Sequence, residues 1–305
     1  MKPLLLTILL LGLTCSAQDD KDTIKVSVKL VSVFATVTDQ SGAPITDLKK
    51  DQFTVAEDGV PQNISVFEQE SAVPLSIVLQ IDASQSVHKD LKLELDSARR
   101  FVSSILRKQD QLALYQFNES VDELVPFTND FQKISRGIRD VHIGASTAMY
   151  DAIYLGGAAL LDRQGRKVMV IITDGGDTTS KVRYPEALRA MQQAEAIVYP
   201  IIMVPITASA GRDLGGEHAL IQLAKDTGGK YYYADTLQAL DVAFQQISKE
   251  LRTQYLLGYY PKQRLANSDF RAIEVAVKPL ARANSADEAT YNVRHRAGYY
   301  TSKLY

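Results

Sequence analysis

Two short apolar runs set the pattern of the chain. Leu75-Ser-Ile-Val-Leu-Gln-Ile81 runs into Asp82, and Lys167-Val-Met-Val-Ile-Ile-Thr173 runs into Asp174. Each is partly β-branched and is bounded by turn residues, which predicts a buried strand of a parallel sheet. Beyond the first run, Leu91, Leu95, Ala98, Val102 and Ile105 recur at spacings of three and four, one face of a helix. The alternation continues as far as residue 256. It predicts strands at 112–117 and 196–203, an antiparallel edge strand at 121–127 and a second edge strand at 230–233. Helices are predicted at 131–138, 148–161, 184–195, 217–226 and 237–251. Pro185 falls in a first turn, where proline is tolerated, and Gly228-Gly229 ends the fourth of these helices. The stretch 206–216 is polar and glycine-containing and predicts a loop on the side where the two aspartates lie. Repeated strand and helix imply an α/β fold with a doubly wound, mainly parallel sheet.

The flanks have a different period. Ile24, Val26, Val28 and Leu30 alternate, then Val31, Val33, Ala35 and Val37 alternate in the opposite phase, which predicts a bulge or break. Phe53–Glu57 and Ile64–Phe67 read as strands around the hairpin signal Asp58-Gly59. After residue 256, Ile273, Val275 and Val277 alternate, as do Tyr291, Val293 and His295, on either side of a polar loop at 279–289. Neither flank has enough strands to bury a sheet alone. The expected organisation is therefore a leader (1–17), an N-terminal β segment (18–72), the α/β unit (73–256) and a C-terminal β segment (257–305). The two β segments are expected to pack together as a small β-sandwich into which the α/β unit is inserted.

Composition changes this picture little. The chain has 305 residues, a net charge of −2 and 46% hydrophobic residues, which gives no argument for nucleic acid or an anionic membrane surface. The N-terminus does change it. Lys2, the apolar stretch Leu4–Leu13 and Cys15-Ser16-Ala17 read as a secretory signal peptide cleaved after Ala17. A lipoprotein leader using Cys15 is the alternative, and Gly12-Leu13-Thr14 fits that pattern poorly. The mature chain is then exported (periplasmic, cell-surface or secreted), free of cysteine, and without a transmembrane segment. The sequons at Asn63 and Asn118 read as chance matches.

The chemistry lies at the ends of the two apolar runs. Asp82-Ala-Ser84-Gln-Ser86 places three side-chain oxygens at alternate positions on the loop after the first strand. Thr147 opens a helix, and Asp174 ends the second strand ahead of Gly175-Gly176. The set Asp82, Ser84, Ser86, Thr147 and Asp174 is all oxygen, which suits Mg²⁺, Mn²⁺ or Ca²⁺ and argues against zinc or copper. Read one stretch at a time, the aspartates and serines serve equally well as helix caps. Asp151 and Asp177 read as residues that orient loops. Enzyme readings find less support. Ser86-Val-His-Lys89 matches the Ser-x-x-Lys pattern of serine acyl-enzymes, but Asn267-Ser-Asp269 and Asp226-Thr-Gly228 do not supply its partner motifs. Residues 174–181 do not fit a P-loop, and the four histidines lack metal-ligand spacing.

Asp-x-Ser-x-Ser, a Thr ahead of Tyr150-Asp151-Ala152, and Thr173-Asp174-Gly175 after a strand resemble the metal-ion-dependent adhesion site of von Willebrand factor type A (VWA) domains. Val33–Asp39, Phe53–Gly59 and Gln254–Pro261 extend the resemblance to a bacterial VWFA-related family of exported proteins, over nearly the whole mature chain. The resemblance implies a six-stranded, Rossmann-like sheet of order 3-2-1-4-5-6. It places Asp82 and Asp174 at the switch point where open α/β sheets bind ligands. It also implies that Ser84, Ser86 and Thr147 ligate the cation while the aspartates act through water or orient the hydroxyls. The implied function is non-enzymatic: the metal captures a carboxylate of a protein partner. An assembly module of an envelope complex with a purely bracing metal, or a serine acyl-enzyme using Ser86, are the alternative functions.

Overall fold

The computed structural model describes residues 30–69, 73–85, 91–203, 213–262, 270–278 and 291–301. The expected leader, the strand pattern at 24–29, Ser86 to Lys89, residues 206–212, Asn267-Ser-Asp269 and the loop 279–289 lie outside them.

The central sheet forms where the apolar runs predict it. Its strands are β5 (Leu75–Asp82), β6 (Gln111–Phe117), β7 (Val121–Thr128), β8 (Arg166–Thr173), β9 (Ile197–Met203) and β10 (Tyr232–Ala234). They lie in the order β10-β9-β8-β5-β6-β7, and all neighbours are parallel except β6 and β7. Numbered within the sheet, this is 3-2-1-4-5-6. Every residue of β5 is buried, because helices cover both faces. On one face Ile77, Leu79 and Ile81 meet α1 (Leu91–Ile105), α2 (Phe131–Arg139) and α6 (Leu237–Thr253), and Phe101 stacks on Phe244 at 4.5 Å. On the other face Val78, Met169 and Ile171 meet α3 (Met149–Leu161), α4 (Tyr184–Ala194) and α5 (Leu214–Thr227). Among the described residues, no helix is long and apolar enough to cross a membrane.

The start of α5 corrects the loop expected over 206–216. Leu214, Gly215 and Gly216 already belong to the helix, because Asp213 caps it by accepting from the amides of Gly215 (2.9 Å) and Gly216 (3.0 Å). Glycine at 216 also lets the helix pack closely, since a Cβ there would stand 1.7 Å from the Gly175 carbonyl oxygen.

The flanking strands form two four-stranded antiparallel sheets. One has the order β13-β1-β11-β4, from β1 (Val31–Thr38), β4 (Ile64–Glu68), β11 (Tyr255–Tyr259) and β13 (Asn292–Arg294). The other has the order β14-β12-β2-β3, from β2 (Phe53–Glu57), β3 (Val60–Gln62), β12 (Phe270–Val277) and β14 (Gly298–Tyr300). Val33, Ala35 and Leu257 of the first share a core with Phe53, Val55 and Ile273 of the second. Glu57 is buried between the sheets and accepts from the hydroxyls of Tyr259 (2.7 Å) and Tyr299 (2.9 Å). Strand β11 starts at Tyr255, so it straddles the boundary expected at 256/257.

The Asp58-Gly59 hairpin forms, but with a different second strand from the one expected. Asp58 (φ 48°) and Gly59 (φ 75°) make a two-residue turn that pairs Glu57 with Val60. Ile64–Glu68 instead joins the other sheet beside β11. Local alternation marks both segments as strands and carries no record of which sheet each joins.

Candidate metal centre

Asp82 is the last residue of β5 and is 1% exposed. Its Oδ1 accepts from the Ser84 amide at 2.9 Å, and its Oδ2 accepts from the Thr173 hydroxyl at 2.7 Å. The second bond requires β8 to lie beside β5, which the sheet order provides. Asp174 follows β8 directly, is half-buried, and accepts from the Gly176 amide at 3.0 Å. Burial pushes the Asp82 carboxyl up to about 6; the bonds from Thr173 and Ser84 oppose the rise, and the nearby charge of Asp174 adds to it.

The other donors reach the same end of the sheet through main-chain ties. Ser84 is buried and forms a parallel bridge with Gly144, whose amide donates to the Ala83 carbonyl at 2.9 Å. This brings the loop that carries Thr147 beside the loop that carries Ser84. Thr147 is buried; its carbonyl accepts from the Thr178 amide at 2.9 Å, and its amide donates to the Thr178 hydroxyl at 2.9 Å. Those bonds fasten it to the loop after Asp174. Four of the five predicted residues, Asp82, Ser84, Thr147 and Asp174, therefore sit on three loops bonded to one another. Ser86, the fifth, lies outside the described residues.

Asp151 and Asp177 orient loops, as their positions suggest. Asp151 accepts from the amides of Lys181 and Val182, each at 2.9 Å, and Asp177 accepts from the Tyr150 amide at 3.2 Å and from the Ser180 hydroxyl at 2.5 Å. Two supporting residues escape a reading of motifs. Thr173 holds Asp82, and the only signal for it is a hydroxyl on the last residue of a buried strand. Glu119, on the loop after β6, accepts from the Ala145 amide at 2.8 Å and so steadies the Thr147 loop, with nothing in its sequence context to mark it.

The donor set has the chemistry of a hard cation site. It combines hydroxyls with two carboxylates, and among the described residues neither Asp82 nor Asp174 is in an ion pair. Among the same residues no three His, Cys, Asp or Glu side chains gather as a metal cluster; here hydroxyls would make up the remainder.

Residues 77–176, from β5 through the turn after β8, match the von Willebrand factor type A domain. No curated protein sequence matches the chain. Among solved structures, a von Willebrand factor type A protein from Catenulispora acidiphila is similar with a TM-score of 0.52 at 10% identity, over 87% of this chain and 74% of that one. BatB from Bacteroides thetaiotaomicron gives 0.47 at 20% identity, over 59% of this chain and all 100% of its own. The vWF domain of the type V pili tip protein Mfa5 from Porphyromonas gingivalis gives 0.48 at 14% identity, over 59% and 95%.

Proposed function

Starting from a chain that carries a von Willebrand factor type A domain, we propose that it is an exported, non-enzymatic binding protein. It holds Mg²⁺, or Mn²⁺ or Ca²⁺ in its place, at Asp82, Ser84, Ser86, Thr147 and Asp174, and takes up a carboxylate of a protein partner. One observation carries the reading. The buried Asp82 carboxylate, whose ionisation is opposed by burial and by the nearby charge of Asp174, is held at one end of the sheet among hydroxyls, and among the described residues neither aspartate is in an ion pair.

In this reading Asp82 and Asp174 supply charge, and Ser84, Ser86 and Thr147 supply neutral oxygens. Thr173 keeps Asp82 in one orientation. Few direct carboxylates leave a bound cation electrophilic, so that it accepts one more oxygen from a partner. The leader pattern at residues 1–17 supports export. A purely bracing metal is the weaker reading, because the loops are already joined by main-chain bonds among Ala83, Gly144, Thr147 and Thr178.

Thermal unfolding of the mature protein tests the ion. Excess Mg²⁺ at about ten times its Kd adds roughly 1.4 kcal/mol, a rise of a few degrees over the EDTA sample. Asp82→Ala should abolish that rise. A rise that persists in Asp82→Ala places the ion elsewhere, and no rise with any of the three ions removes the metal from the function. For capture, a partner's binding must disappear in EDTA and in Asp174→Ala; a partner retained in both, with the variant folded, would falsify the proposal.

A further inference from the structure

A cleft of about 880 Å³ opens where the α/β unit meets the flanking sheets, away from the ion residues. Its walls come from four places. They are Lys230 and Tyr232 at β10, one face of α6 around Lys249, the second half of β1 with the loop at 41–44, and all of β13. Its size falls within the range of about 300–1,000 Å³ typical of ligand sites, and such sites favour the junctions between structural units.

The charge of the cleft is one-sided. Arg294 and Glu250 both line it, but they neutralise each other at 2.6 Å, and Arg294 also donates to the Gly229 carbonyl at 2.8 Å. Lys230 and Lys249 remain. Both are exposed, and among the described residues neither is in an ion pair. The Lys230 ammonium lies 5.1 Å from the Tyr232 ring, on the cleft wall. An excess of two positive charges is too small for a nucleic-acid backbone, which needs many such contacts, and it suits a few carboxylates.

The main chain adds direction. Among the described residues, strands β10 and β13 are each the last strand of their sheets. An edge strand offers main-chain N–H and C=O groups to an added strand, and side-chain pockets then select its sequence. We propose that this cleft is a second binding site, independent of the ion, for an extended acidic segment of a partner protein laid along β13. Its carboxylates meet Lys230 and Lys249, and Tyr232 and Tyr291 line its apolar side.

Fluorescence anisotropy with the mature protein in EDTA tests this. The probes are a labelled short peptide alternating Glu with Val and a twin with Lys for Glu. The Glu peptide should bind saturably and weaken with salt. The charge reversal Lys230→Glu/Lys249→Glu should weaken it by about tenfold or more, while Asp174→Ala leaves it unchanged. Lys108→Glu/Lys133→Glu alters net charge equally at exposed sites outside the cleft lining, and should change little. Equal binding of the twin, equal losses in the two double variants, or no binding of the Glu peptide up to about 1 mM would each overturn the proposal. Binding that appears only when Mg²⁺ replaces EDTA would overturn the proposal and assign the peptide to the metal centre instead. Matched unfolding curves for the lysine variants would exclude misfolding as the cause of a loss.

Discussion

The two ends of the central sheet treat their carboxylates in opposite ways. At the end where β5 begins, three buried or half-buried acids each have an arginine. Asp110, 0% exposed, pairs with Arg252 at 2.9 Å and accepts from the amides of Leu75 (2.9 Å) and Arg107 (3.0 Å). Glu250 pairs with Arg294 and accepts from Tyr199 (2.9 Å) and Thr36 (3.2 Å), and Glu195 pairs with Arg296 at 2.9 Å. These bonds join α6 and β9 to the flanking sheets. At the other end, among the described residues, Asp82 and Asp174 have only hydroxyl and amide donors. The same residue type is a structural tie where its counter-ion is built in, and a candidate receptor where it is not. Burial without a counter-ion raises the cost of ionising Asp82, a cost that the proposed ion would relieve.

Three experiments would break or sharpen this contrast. The largest effect is expected at Asp110. Asp110→Ala strands Arg252 and two amides, and should cost about 3–5 kcal/mol in chemical denaturation; a cost near that of a surface substitution would mean that the paired end is not a structural tie. Asp82 should respond in the opposite sense. Its carboxyl titrates near 6 in the folded chain against an ordinary 3.8. A raised value gives stability that is complete below the unfolded pKa and is lost as pH rises through the folded one. Without divalent ion, the protein should therefore gain about 1 kcal/mol from this group between pH 7 and pH 5. Asp82→Asn should remove that gain, while excess Mg²⁺ should flatten it; an unchanged pH slope in the variant would refute the assignment. The smallest effect is expected at the exposed pair Arg100–Asp241, 2.8 Å long, which links α1 to α6. Arg100→Ala should change stability by less than about 0.5 kcal/mol. A larger loss would show that solvent exposure is not what separates weak pairs from strong ones here.

Much of this was legible in residue order. The alternation of apolar runs and helical faces located the six central strands, and the position of Asp82 and Asp174 at run ends put both at one end of the sheet. The loop roles of Asp151 and Asp177 also followed from their positions. The reading stopped where partners come from afar. Nothing near Ile64 says that it pairs with Tyr259 rather than with the adjacent hairpin. Nothing near Thr173 says that its hydroxyl faces a carboxylate 91 positions earlier. The start of α5 was missed because its first turn holds two glycines, whose poor helix propensity was outweighed by the Asp213 cap and by contact with Gly175.

The sequence by itself determined the kind of each element and the ends at which its chemistry sits, because periodicity and turn residues act over a few positions. The tertiary structure alone decided which strands pair across some two hundred residues and which acids meet an arginine. Those outcomes depend on register and burial, which exist only once the sheets have formed and water has been excluded from between them.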